Sequence, residues 1–120
     1  MNKILIVDDE PNILMSLEFL MRKENYDVFV ARDGAEALDI ISEEKPDVVV
    51  LDIMMPNVDG YEVCQSIKGN AITEHIKVIF LSARSKEEDI KKGYEIGADK
   101  YLTKPFSTRN LMKEIKALVN

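Results

Sequence analysis

One cysteine, one histidine and no tryptophan occur among the 120 residues of this chain. The lone Cys64 excludes an internal disulfide and suits a reducing compartment. With His75 as the only imidazole, no Cys/His cluster exists to hold zinc. No apolar run reaches the roughly 18 residues of a membrane-spanning helix, so no membrane partner is expected. Basic residues are outnumbered, 16 against 22 acidic, for a net charge of −6. Phosphate backbones are held by basic patches, so direct nucleic-acid binding is not expected of this domain. The few glycines form neither G-x-x-x-x-G-K-[ST] nor G-x-G-x-x-G, which leaves nucleotide binding through such loops unsupported. The start, Met1-Asn2-Lys3, passes straight into an apolar run without the length or apolar region of a signal peptide. The expected location is cytoplasmic.

What remains is an ordinary globular composition, 46% hydrophobic and 32% charged. The length fits one domain, residues 1–120. Short apolar runs alternate with amphipathic stretches: strands are expected over 3–7, 26–30, 47–51, 77–81 and 100–103, helices over 11–24, 34–43, 60–68, 86–96 and 107–119. Several runs are apolar without alternation, as in strands covered on both faces. Strict strand-then-helix order predicts an α/β doubly wound fold with a parallel sheet. Asp33 and Asp59 read as helix caps, and Ser85-Lys86-Glu87-Glu88 as a capping box. Pro11 fits a first turn, and Gly97 ends the helix before it. Pro46 and Pro56 fall between elements.

Chemistry-bearing residues terminate four of the runs. Ile4–Val7 leads into Asp8-Asp9, Val48–Leu51 into Asp52, Val78–Leu81 into Ser82, and Tyr101–Thr103 into Lys104-Pro105. Open α/β sheets bind ligands beyond the carboxyl ends of their strands, where strand order reverses. Three carboxylates, a hydroxyl and an ammonium are thus expected in one place. Close carboxylates repel, and a divalent cation relieves them. An all-oxygen donor set suits Mg2+, with Mn2+ able to substitute. Mg2+ and Lys104 would balance the three negative charges and clamp an incoming phosphoryl group. Asp52, alone on its strand end, is the candidate nucleophile and would form an acyl phosphate. The adjacent Asp8 and Asp9 suit the metal.

Ile6-Val7-Asp8-Asp9, Leu51-Asp52-Ile53-Met54-Met55-Pro56 with Asp59-Gly60, Leu81-Ser82-Ala83, and Gly97-Ala98-Asp99 through Lys104-Pro105-Phe106 resemble the receiver domain of bacterial response regulators. The resemblance covers the whole chain. It implies a flavodoxin/CheY-like sheet of five parallel strands in order 2-1-3-4-5, with helices on both faces. It implies a two-component phosphoacceptor switch, not a turnover enzyme, that assists its own phosphorylation and dephosphorylation. Asp52 would be phosphorylated by a histidine kinase or a histidine phosphotransfer protein. Mg2+ would be held by Asp9, Asp52, the Met54 carbonyl and, through water, Asp8. Ser82 and Lys104 would contact phosphoryl oxygens, and the Lys104–Pro105 peptide would be cis.

The resemblance further implies that Ser82 moves toward the phosphoryl group and that Tyr101 turns inward behind it, with helix 86–96 as the moving part. Gly93 inside that helix has two readings, close packing or a loosened helix. The expected readout face is the fourth helix, fifth strand and fifth helix, decorated by Lys91, Lys92, Asp99, Lys100, Lys113 and Glu114. Relatives with winged-helix output domains dimerise there through an acid and an arginine; Lys100 and Glu114 stand at those positions with the signs exchanged. Asn12, Ile13 and Ser16 are the implied kinase-docking residues. Beside them Met15 and Phe19 fall off the core face of their helix, either partly buried or part of that patch. Met54 and Arg84 flank the phosphoryl entry. Met54 cannot orient an attacking water, which predicts a moderately long-lived phosphoryl state.

Three other functions compete. A haloacid-dehalogenase-type phosphatase needs a second acid two residues beyond its nucleophile, where Met54 stands. A flavodoxin-like carrier would bring an FMN phosphate against the acidic cluster, and there is no tryptophan to stack on the ring. A non-phosphorylated scaffold is at odds with the intact site residues. His75 is expected on the surface, and Cys64 packed and inert.

Overall fold

Five strands and five helices alternate along the chain. They are β1 (Lys3–Val7), α1 (Pro11–Lys23), β2 (Asp27–Ala31), α2 (Gly34–Glu44), β3 (Val48–Asp52), α3 (Gly60–Lys68), β4 (Lys77–Ser82), α4 (Glu87–Ile96), β5 (Lys100–Thr103) and α5 (Thr108–Val119). The computed structural model describes residues 2–119. All four strand pairings are parallel, in the order β2-β1-β3-β4-β5. No helix among the described residues is long and apolar enough to cross a membrane.

The non-alternating runs are explained by two cores, one on each face of the sheet. Leu5, Val7, Val49, Leu51, Val78 and Phe80 point toward the α2–α4 side, where Ala37, Ile41, Val63 and Ile67 meet them. Ile4, Ile6, Val48, Val50, Ile79 and Leu81 point the other way, onto Leu14, Leu17, Met21, Leu111 and Ile115 of α1 and α5. Successive side chains of a strand face opposite ways, so a strand covered on both faces is apolar throughout.

Caps set most helix boundaries. Asp33 accepts from the Glu36 amide at 2.8 Å and Asp59 from the Glu62 amide at 3.0 Å, each satisfying an N–H that has no partner within the helix. Pro11 opens α1. Gly97 closes α4 with φ of +121°, a region that side-chain-bearing residues avoid. The Ser85 capping box does not form. The cap residue of α4 is Lys86, without a side-chain cap bond, and the helix starts one residue later than expected. Glu87, Glu88 and Asp89 crowd its first turn instead, where the helix dipole favours negative charge. At α5 the start also moves by one residue, and the Ser107 hydroxyl accepts from the Asn110 amide at 3.1 Å.

Asp99, expected to decorate the readout face, is engaged within the chain. Its carboxylate accepts from the Val78 amide at 2.8 Å and from Lys68 Nζ at 3.3 Å, while Lys68 also donates to the Ile76 carbonyl at 2.6 Å. This clamp ties the end of α3 to the entry of β4, at the sheet end opposite the candidate site. Gly93 packs closely: a Cβ there would come within 2.9 Å of the Tyr101 ring and 3.2 Å of Phe80.

Candidate functional site

Strand register brings the terminal residues together. Val7 pairs with Leu51, Asp52 with Leu81, and Ser82 with Thr103. Asp8, Asp52, Ser82 and Lys104 therefore emerge along one sheet edge. The strand order reverses between β1 and β3, the point at which doubly wound sheets open a crevice. The Lys104 amide donates to the Ser82 carbonyl at 2.8 Å, fixing the last strand's exit against β4. The Lys104–Pro105 peptide is cis, as expected.

Asp8 is 2% exposed and Asp52 5%, so two carboxylates sit almost out of water. Lys104 compensates. Its Nζ donates to Asp8 Oδ2 at 2.9 Å and lies 3.7 Å from Glu10 and 3.9 Å from Asp52. The other Asp8 oxygen accepts from the Glu10 amide at 2.9 Å. One cation does not neutralise the group. Burial, and then the charge of Asp8, push the Asp52 carboxyl up to about 6, against the opposing pull of Lys104 and the Met54 amide. Burial works to lower the Lys104 pKa, but the hydrogen bond to Asp8 and the charges of Asp52, Asp8 and Glu10 outweigh it, and the ammonium is held above its ordinary value.

The donor chemistry fits a hard divalent cation. Asp8, Asp9 and Glu10 each offer a carboxylate oxygen, and these atoms lie within 4.8 Å of one another. Glu10 was not among the residues expected here; the third consecutive acid before Pro11 was its only signal. Asp9 is exposed. Cys64 is buried in α3, and burial pushes its thiol up to about 11, so it is packed and inert as expected. His75 is exposed.

Ser82 is fully buried, and its Oγ accepts from the Arg84 amide at 3.1 Å. Tyr101 is also buried, at 8% exposure, and its hydroxyl donates to the Arg84 carbonyl at 2.7 Å. Burial raises the Tyr101 phenol above its usual pKa, so it remains a donor. Met54 is 53% exposed and lines a shallow depression together with Ala83, Arg84 and Ser85. The Arg84 guanidinium turns toward Asp89 of α4, 3.9 Å away.

The remaining expected residues lie apart from this site. Asn12 and Ser16 are exposed on α1, Ile13 is half-buried, and Met15 and Phe19 stand 68% and 67% exposed rather than partly buried. Lys91 is exposed on α4. Lys100 and Glu114 pair with each other inside the chain at 3.2 Å, joining β5 to α5.

The family model described as the response regulator receiver domain matches residues 4–116. Among solved structures, the BeF3-activated DrrB receiver domain is 38% identical at a TM-score of 0.91, covering 99% of this chain and 97% of that one. The receiver domain of Francisella response regulator 1452 is 36% identical at a TM-score of 0.92, covering 98% and 96%. The signal receiver domain of a signal transduction histidine kinase from Syntrophus aciditrophicus is 34% identical at a TM-score of 0.92, covering 99% and 90%. The fold, the strand order and these matches agree: the chain belongs to the response regulator receiver domain family.

Proposed function

We propose that this domain is a phosphorylation switch in which Asp52 accepts a phosphoryl group from a histidine kinase or a histidine phosphotransfer protein. The observation that carries the reading is a nearly buried Asp52 at the sheet's switch point, between Asp8 and Lys104. An Asp52 oxygen attacks phosphorus, and the bond from phosphorus to the donor breaks with its electron pair leaving on the donor. Lys104 and the Ser82 hydroxyl then hold phosphoryl oxygens. Asp8, Asp9, Asp52 and the Met54 carbonyl are the proposed holders of Mg2+, with Glu10 close by. The ion, when bound, supplies positive charge to the carboxylates and to the phosphoryl oxygens. A precedent for a phosphoryl mimic is the BeF3-activated DrrB receiver, to which this chain is similar.

Incubation with acetyl phosphate and Mg2+, read by intact mass, tests this directly. The wild type is expected to gain one phosphoryl group and release acetate, and Asp52→Asn to gain none. An equal gain in Asp52→Asn would sink the assignment.

Met54→Asn tests the lifetime. The thioether at the site's mouth orients no water, whereas an amide could. Removal of acetyl phosphate, followed by mass over time, should show the phosphoryl group lost several-fold faster from the Asn variant. Equal decay in both proteins would dismiss Met54 as a lifetime determinant.

The proposed readout face is α4, β5 and α5, offered to an output domain or partner protein. Lys100 and Glu114 already satisfy each other within the chain. Re-pairing them across a homodimer would exchange one exposed ion pair for another, worth about 0–1 kcal/mol. A homodimer through this face would thus need apolar contacts to form. The docking surface for the phosphoryl donor is proposed around Asn12, Ile13 and Ser16, where exposed Met15 and Phe19 add apolar area.

A further inference from the structure

Tyr101 is held at both ends. Its hydroxyl donates to the Arg84 carbonyl at 2.7 Å, and its backbone N–H donates to the Tyr94 hydroxyl at 3.1 Å. Arg84 lies just before α4, and Tyr94 is in the last turns of that helix. β5 is an edge strand. An outward-facing amide there would otherwise bond to water or to a second strand. A third tyrosine acts on the same helix. The Tyr61 hydroxyl, from α3, donates to the Asp89 carbonyl at 3.2 Å, and Lys92 of α4 stands 4.4 Å above the Tyr61 ring.

We infer that Tyr94 is a positioning residue: its hydroxyl latches the end of α4 to the backbone of β5 and thereby keeps Gly93 of the helix packed over the buried Tyr101 ring. Tyr101 cannot swing outward without the loop at Arg84 giving up its bond. Nor can α4 shift away without the Tyr101 amide losing its acceptor. The helix and the aromatic side chain are therefore coupled as one two-state element. Tyr61 secures the first turn of the helix by the same kind of bond. The helix needs such ties because few of its own side chains are buried; Gly93 is the only buried residue it contributes.

The latch follows from the hydrogen bonds alone. Its effect on phosphorylation rests on the proposed role of Asp52, so the two are measured separately. Tyr94→Phe keeps the ring and removes only the acceptor. In the unphosphorylated protein, amide hydrogen exchange followed by NMR should rise at Tyr101 by at least about five-fold, the equivalent of one neutral hydrogen bond. Inner-strand amides at Val50 and Ile79 should keep their rates. Unchanged exchange at Tyr101, or an equal rise at Val50 and Ile79, would overturn the latch.

The second arm titrates beryllofluoride with Mg2+ into both proteins. Weaker apparent affinity in Tyr94→Phe, by up to about that factor, is expected because the buried conformer is less populated. Equal affinity alongside selective exchange at Tyr101 would refute the coupling. No response to beryllofluoride in either protein would dismiss the phosphoacceptor reading, while the exchange arm alone would decide the latch.

Discussion

Asp52→Asn is expected to unfold at a higher temperature than the wild type in EDTA at pH 7, even though it loses all phosphoryl uptake. The cause is the carboxyl's upward shift from 3.8 to about 6. A carboxylate whose folded pKa exceeds its unfolded value binds more protons when folded. Stability then falls as pH rises through that window. Above about pH 6 the folded state carries the full penalty of an ionised Asp52 beside Asp8. A shift of this size corresponds to about 3 kcal/mol at 1.36 kcal/mol for each pH unit. The effective dielectric around charged groups is high even at buried sites, which leaves roughly 1 kcal/mol of it. That predicts a rise of roughly 3–8 °C in Tm. The difference between the two proteins should shrink below pH 6 and vanish near pH 4. Mg2+ should reverse the order by raising the wild-type Tm more than that of Asp52→Asn, because it binds the folded site. Calorimetric melts with EDTA and with Mg2+, from pH 4 to 8, would check all of this. A lower Tm for Asp52→Asn in EDTA would mean that Lys104 already compensates the buried carboxylates.

Much of this site could be read from the chain because parallel strands end where their chemistry begins. Asp52 and Ser82 are the last residues of β3 and β4, and Lys104 follows β5 directly. Position along the chain thus translates into position at one sheet edge. What stayed hidden depends on side chains reaching across elements. Asp99 resembled a surface acid, yet Lys68, 31 residues earlier, and the Val78 amide draw it inward. The hydroxyl of Tyr94 meets the Tyr101 amide only because α4 folds back on the edge strand. Ser85 had the right spacing for a capping box, but the acids in the next turn supply the same electrostatic service from inside the helix. Lys100 and Glu114 showed their opposite charges in sequence; that they neutralise each other within one chain required the packing of α5 on the sheet.

Gly60→Ala should be among the most damaging single-methyl additions to this protein. Gly60 opens α3, and its amide donates to the Ile53 carbonyl at 2.9 Å. A Cβ built there would fall on the Asp52 carbonyl oxygen and lie 2.7 Å from the Ile53 Cα. These are backbone atoms of the strand that ends in Asp52 and of its exit, and no flexible side chain can yield. Overpacking typically costs 1–3 kcal/mol, and with backbone to displace the upper end, about 3 kcal/mol, is expected. Tm should drop by roughly 10–20 °C. The methyl can be accommodated only by moving β3's end away from α3, which displaces Asp52 from Lys104 and Asp8. Displacement of a reacting group by about 1 Å costs on the order of 100-fold in rate. Phosphorylation by acetyl phosphate, measured well below the lowered Tm, should slow accordingly. A Tm within about 2 °C of wild type would show that the helix start yields without strain. The same turn carries Tyr61, whose hydroxyl donates to the first turn of α4. A displaced α3 start should therefore also loosen α4, and faster amide exchange in residues 87–90 would reveal a physical link from the backbone at Asp52 to that helix.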